Sequence, residues 1–354
     1  MITPGALRRL LALLTTAVVL VGACSGPPGS TPEPSTAPTA GASTATGQAT
    51  GQPTGFGPGC ATAPEPSSLP AEWTKATTKP TIYPVIVTSQ VVCGASRFLF
   101  AFTDAANAPI SQPDRTASVT FYNLGKDPAT AVATVQGQFI YLIQPTGSTP
   151  GSGIYISTGN LPESGEWGAE FTTAAAGGAP ETVRVRFEVQ ATSSSPIIGS
   201  VAPSAKTLTA ADAGGDVTKV STDSPPDPRF YQVSLDQALA AHKPIVLVFA
   251  TPKFCTSRTC GPLLDRVKAL AGTYPDVTFI NVEPYQLKFA NNQLQPVLDA
   301  QGNLQLVDAS NAYGLLSEPW VFVIGANGKV TGTFESVADD SELKAAIAAA
   351  QKAT

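Results

Sequence analysis

Two stretches of this chain hold almost nothing from which a core can be built, and they decide where the rest can fold. From Cys24 to Pro70 there are 47 residues, of which 39 are Pro, Gly, Ser, Thr or Ala. No apolar periodicity runs through them, so 25–70 reads as a tether with an r.m.s. reach of about 40 Å. A second stretch, 192–228, is again rich in Ser, Thr, Pro, Ala, Gly and Asp and reads as a linker. Two windows of ordinary domain size are left, 71–191 and 229–354. Hydrophobic residues at 43% suffice for their cores, and a net charge of -5 argues against nucleic acid as a partner. The single histidine, His242, leaves metal sites and nucleophilic triads built on imidazole little to draw on.

The first window alternates as half-buried strands do. Its clearest run is Thr182-Val183-Arg184-Val185-Arg186-Phe187-Glu188-Val189, apolar on one face and charged on the other. Seven such runs, 82–92, 97–103, 117–124, 130–143, 153–161, 166–174 and 181–191, are separated by Gly, Pro, Asn and Asp clusters. Seven short strands in about 110 residues predict an antiparallel sandwich of immunoglobulin-like architecture. Trp167 is expected in its core. No cluster of acids or exposed aromatics marks catalysis there.

At the other end of the tether, Arg8 and Arg9 precede a twelve-residue apolar run, Leu10 to Val21, too short to span a bilayer comfortably. Residues 1–24 are expected to be a cleaved export signal. Val21-Gly22-Ala23-Cys24 resembles the lipobox of bacterial lipoproteins, which implies a lipid anchor at Cys24 on the extracytoplasmic face of the cell membrane. Four cysteines then remain: Cys60, Cys93, Cys255 and Cys260. An even number outside the cytosol suggests two disulfides, and of the three pairings Cys60–Cys93 with Cys255–Cys260 keeps each bond inside its own region. The first is expected to be a structural staple.

In the second window the pattern changes. Ser234-Leu235-Asp236-Gln237 is a capping box opening a short helix to His242. Ile245-Val246-Leu247-Val248-Phe249 reads as a strand buried on both faces. A helix over 261–271, a strand over 277–282, a hairpin across Asn327-Gly328 and a closing helix over 339–351 complete an α/β order. Here Asn311-Ala312-Tyr313-Gly314-Leu315-Leu316-Ser317-Glu318-Pro319-Trp320-Val321-Phe322-Val323, followed by Asn327-Gly328-Lys329-Val330, resembles the thioredoxin superfamily around its cis-proline, and Phe279-Ile280-Asn281-Val282-Glu283 resembles its central strand. The resemblance covers roughly 230–350, interrupted by extra sequence over 284–307. It implies a thioredoxin-like fold with Pro319 as the cis-proline facing the site, flanked by Glu318 and Trp320.

At the active-site position stands Phe254-Cys255-Thr256-Ser257-Arg258-Thr259-Cys260-Gly261-Pro262, a C-x4-C where the redox branch has C-x2-C. Residues five apart in a helix lie about 8.6 Å apart, beyond the disulfide limit of about 7 Å, so both cysteines cannot sit in one helix and be bonded. Either cysteine can take the family's first position, and of the two Cys260 is expected to be the helix-capping thiolate with Cys255 as its partner. With the helix starting near Cys260, Pro262 falls in its first turn. A thiol there meets the helix dipole, with Arg258 and Lys253 adding positive character, whereas Glu318 opposes it. Three readings stay open: thiol–disulfide exchange with envelope or secreted proteins, a non-catalytic thioredoxin-like binding module with a structural disulfide, and a thiol peroxidase, whose Pro-x3-Thr-x2-Cys loop resembles Pro252-Lys253-Phe254-Cys255-Thr256 followed by Cys260, one residue longer than the motif. None needs a cofactor, and no residue beyond Cys260 offers the histidine of a copper site.

Overall fold

The computed structural model describes residues 55–75, 79–148 and 150–353. The expected signal 1–24, Cys24 and the tether up to 54 lie outside them. The described chain is a multi-sheet, mostly β structure with few helices. After a one-turn helix α1 (Ala71–Thr74) come nine strands: β1 (Ile82–Ile86), β2 (Val91–Val92), β3 (Gly94–Asp104), β4 (Thr116–Asn123), β5 (Ala131–Gln136), β6 (Gln138–Ile143), β7 (Ser152–Leu161), β8 (Gly165–Ala174) and β9 (Glu181–Gln190). They form two sheets, ordered β1-β3-β7-β6 and β2-β9-β8-β4-β5. All pairs are antiparallel except β2 with β9.

The two sheets share one aromatic core. Phe98, Phe100 and Phe102 of β3 meet Phe121 of β4 and Phe171 of β8, with Phe98 edge-on to Phe121 at 5.1 Å. Each such ring contributes on the order of 2 to 3 kcal/mol by leaving water. Trp167 is fully buried, and its indole N–H donates to the Glu163 carbonyl at 3.1 Å.

Two of the seven runs expected from alternation each prove to be two strands. Run 130–143 breaks at Gly137, where the chain leaves one sheet for the other. A Cβ on Gly137 would lie 2.7 Å from Phe100 Cζ and 3.0 Å from Tyr155 Cβ, so the crossing fits only against a bare backbone. Run 82–92 divides likewise into β1 and β2.

The expected tether also ends sooner than its composition implies. Residues 55–70 lie on the sandwich through a bridge between Phe56 and Ser193, the buried Ala63, and the Cys60–Cys93 disulfide.

The stretch 192–228 is packed rather than extended. Ala202 and Val220 are buried, Thr207 N–H donates to Ser234 Oγ at 2.8 Å, and Leu235 N–H donates to Thr207 Oγ1 at 3.0 Å. Side-chain hydroxyls do here what a ladder does in a strand, which is why composition alone pointed to coil.

Beyond it follow α2 (Leu235–Ala240), β10 (Ile245–Phe249), α3 (Cys260–Ala271), β11 (Thr278–Val282), a hairpin of β12 (Leu287–Ala290) and β13 (Gln293–Pro296), α4 (Asp308–Ala312), β14 (Trp320–Ile324), β15 (Val330–Glu335) and α5 (Asp340–Lys352). The main sheet runs β11-β10-β14-β15, with β10 parallel to β11 and the other pairs antiparallel. All of β10 is buried because both its faces are covered. Val246 and Val248 pack with residues of α3 and α5, while Leu247 and Phe249 pack with Leu235 and Tyr313.

The sandwich touches this second layer beside the start of α3. Arg97 of β3 forks onto Glu342 of α5 at 2.9 and 3.0 Å and donates to the Val337 carbonyl at 2.9 Å. Val337 itself packs under Leu99, Ile140 and Ile154. Arg97→Ala leaves that carbonyl and carboxylate short of their donor and is expected to cost about 2 kcal/mol in denaturant unfolding. A loss below about 0.5 kcal/mol, the level of an ordinary surface change, would mean that the fork contributes nothing in solution.

Candidate functional site around Cys255 and Cys260

The site begins where β10 ends. The chain leaves the sheet after Ala250, turns through 251–259, and enters α3 at Cys260, with Pro262 in the first turn. Arg258 makes the turn in the left-handed region, φ 61°, and its side chain is exposed. This loop lets residues five apart approach to a Cα separation of 6.1 Å, and Cys255 and Cys260 are disulfide-bonded. The second described disulfide is Cys60–Cys93.

The two sulfurs stand in different surroundings. Cys260 is fully buried among Leu263, Leu264 and their neighbours, whereas Cys255 is half-buried at the loop. The Cys260 backbone N–H donates to Cys255 Sγ at 3.3 Å, and Ser257 Oγ lies 3.2 Å from the same sulfur. The first N–H of α3 is therefore aimed at the more exposed sulfur. With the helix starting at Cys260, it is Cys255, and not Cys260 as expected from the sequence, that receives the first N–H, because Cys260 itself is buried as the first helical residue.

Ser257 ties this loop to β14. Its hydroxyl lies 3.3 Å from the Glu318 carbonyl, and the Glu318–Pro319 peptide is cis. The Glu318 side chain turns inward and is 8% exposed. Its Oε2 accepts from the Tyr285 hydroxyl at 2.6 Å, while Oε1 has no partner among the described residues. Burial, and then the Glu318 carboxylate, push the Tyr285 phenol above its ordinary range, so it stays a donor. Trp320 stacks on Phe322 at 5.5 Å and donates to Ser317 Oγ at 3.1 Å, which holds its ring against the sheet. Lys253 donates to Gln293 Oε1 at 3.0 Å, on the hairpin of the inserted segment. His242 lies two residues past the end of α2, in the left-handed region at φ 51°, with Nδ1 at 3.2 Å from the Ala326 carbonyl.

Three contributors escape a reading of spacing. Ser257 bridges Cys255 and the cis peptide, Tyr285 comes from the insertion to hold Glu318, and Glu283 lies buried beyond the end of β11. Glu283 Oε1 accepts from Thr222 N–H at 2.6 Å and Thr222 Oγ1 at 2.8 Å, and Thr222 Oγ1 in turn accepts from Lys253 N–H at 3.3 Å. Burial outweighs the bonds from Thr251 and Thr222 and pushes its carboxyl up to about 7. Only Glu283's place at the end of a buried strand signals such a role; hydroxyl partners 30 to 60 residues away leave no periodicity.

No protein family and no curated protein matches the chain. Among solved structures, it is similar to the soluble domain of PmoD from Methylocystis sp., at 18% identity over 30% of this chain and 90% of that one, with a TM-score of 0.17. It is also similar to the ZirS C-terminal domain, at 14% identity over 42% of this chain and 97% of that one, with a TM-score of 0.16. At such scores neither likeness assigns a fold or a function.

Proposed function

We propose that this chain is an extracytoplasmic thiol–disulfide oxidoreductase held to the cell membrane by a lipid at Cys24. The observation that carries the reading is the Cys255–Cys260 disulfide. Its outer sulfur is partly open and faces the first N–H of α3, beside the cis Glu318–Pro319 peptide.

The sheet order supports a thioredoxin-like unit, since a β10-α3-β11 crossover and the β14-β15 hairpin with α5 are arranged around a central β10. Lettering β1 to β9 as A, A′, B, C, C′, D, E, F, G gives sheets ABED and A′GFCC′, which supports the immunoglobulin-like reading of the sandwich.

In the reduced protein the Cys255 thiolate attacks a substrate disulfide. The new Cys255–substrate S–S bond expels the substrate's other sulfur as a thiolate. Cys260 then gives its proton to water and attacks Cys255 Sγ. The mixed disulfide breaks, the internal disulfide forms, and a second substrate thiolate leaves. Two electrons pass from the cysteine pair to the substrate; an oxidase runs the same steps backward. Chain-closure entropy for so short a loop is only on the order of 2 kcal/mol, a small structural return for a disulfide at this place.

The test is a glutathione redox titration of the mature chain together with turnover of a peptide disulfide. A potential between about -120 and -300 mV with measurable exchange is expected. A potential well below about -300 mV with no exchange would leave a non-catalytic binding module.

A further inference from the structure

The segment 314–319 brings the Glu318 carbonyl to Ser257, and Ser257 in turn lies against the outer sulfur. Residues 315–319 belong to no helix or strand, so no ladder fixes them. Both ends of the segment are instead tied to one turn of the sandwich, 87–90, between β1 and β2.

At the far end, Ser317 Oγ donates to Glu335 Oε1 at 2.6 Å and accepts the Trp320 indole N–H at 3.1 Å. Glu335 closes β15 as the register partner of Trp320 and is 6% exposed. The Ser89 N–H donates to both of its carboxylate oxygens, at 3.0 and 3.1 Å. A carboxylate taken out of water needs donors, and among the described residues Glu335 finds one in each layer. At the near end, Gln90 Oε1 accepts from the Ser194 N–H at 2.8 Å, and Ser195 Oγ donates to the Gly314 carbonyl at 3.1 Å. The approach there is close. Gly314 has φ 56°, and a Cβ on it would stand 2.1 Å from the Ser194 carbonyl oxygen.

We propose that Ser89 and Gln90 of the sandwich, with Glu335 of β15, are positioning residues for the exchange at Cys255. They hold 314–319 where it borders the outer sulfur, which makes the sandwich a working part of the site as well as a spacer. The inference rests on the exchange reading above. Its energetic logic is that a misplacement of about 1 Å beside a reacting atom can cost up to about 100-fold in rate, even when the altered residue is remote.

The test compares the full chain with Gln90→Ala, Glu335→Ala and Glu335→Gln, each confirmed folded by its melting transition. Peptide-disulfide turnover, the glutathione redox potential and amide hydrogen exchange over 314–320 are measured on each. Gln90→Ala and Glu335→Ala are each expected to lower kcat/KM about tenfold, mainly through KM, and to speed amide exchange in the segment about tenfold. The potential is expected to stay at the parental value, because neither residue hydrogen-bonds either sulfur. Glu335→Gln keeps an oxygen that can accept from Ser89 and Ser317 and is expected to restore both rates to within about twofold of the parent. Unchanged amide exchange in both alanine variants would overturn the clamp, whether or not the chain turns over substrate. Faster amides with parental kcat/KM would overturn its part in the exchange. A parent that shows no turnover, with amides faster in the alanine variants, would remove the exchange reading and support the clamp alone.

Discussion

Cys255→Ser is expected to lower disulfide-exchange turnover by at least about 10³-fold, because a serine hydroxyl does not ionise near neutral pH and offers no nucleophile. Cys260→Ser is expected to fail differently. The half-buried Cys255 still attacks, but the second displacement has no thiol, so the substrate stays bound as a mixed disulfide visible by mass spectrometry. This asymmetry follows from the surroundings of the two sulfurs: one lies at the loop with the Cys260 N–H aimed at it, the other is fully buried. A conjugate trapped by Cys255→Ser and not by Cys260→Ser would reverse the assignment. Loss of exchange in neither variant would remove the pair from the chemistry.

Glu283→Gln is expected to stabilise the fold by about 3 kcal/mol above pH 7 and to change it little below about pH 4.5. Burial raises the Glu283 carboxyl from 4.5 to about 7 in the folded chain. Below 4.5 folded and unfolded chains both hold the proton, so the acid contributes no pH dependence. Between the two values the unfolded chain ionises while the folded one does not, and the wild type loses stability as pH rises. Above 7 both are ionised and the loss is complete. The glutamine keeps the shape, can still accept from Thr222, and never ionises. Denaturant midpoints of both proteins at several pH values measure the difference, and parallel curves across this range would refute a buried proton at Glu283.

What the sequence discloses depends on how local the cause is. The unbroken apolar run of β10 announces burial on both faces, and Asn327-Gly328 announces its hairpin through Gly328, whose φ is 74°. The C-x4-C spacing already excludes two bonded cysteines in one helix, and the loop before α3 resolves that conflict. The cis bond at Pro319 is readable only through resemblance, since nothing in Glu318-Pro319 itself demands it. The break at Gly137 is silent because alternation continues through it, and only the nearness of Phe100 and Tyr155 gives the glycine its meaning. Tyr285 and Glu318 are 33 positions apart, and their hydrogen bond exists only once the insertion folds back over the sheet.

The packing of residues 192–228 sets where this protein can be cut. A fragment starting at 229 would strip Ala202 and Val220 from beside the sheet and take away the Thr207 hydroxyl that receives the first N–H of α2. A fusion joined downstream of Pro228 would therefore inherit an open flank, because the sheet of β10 needs residues from about 192 onward as well as its own strands.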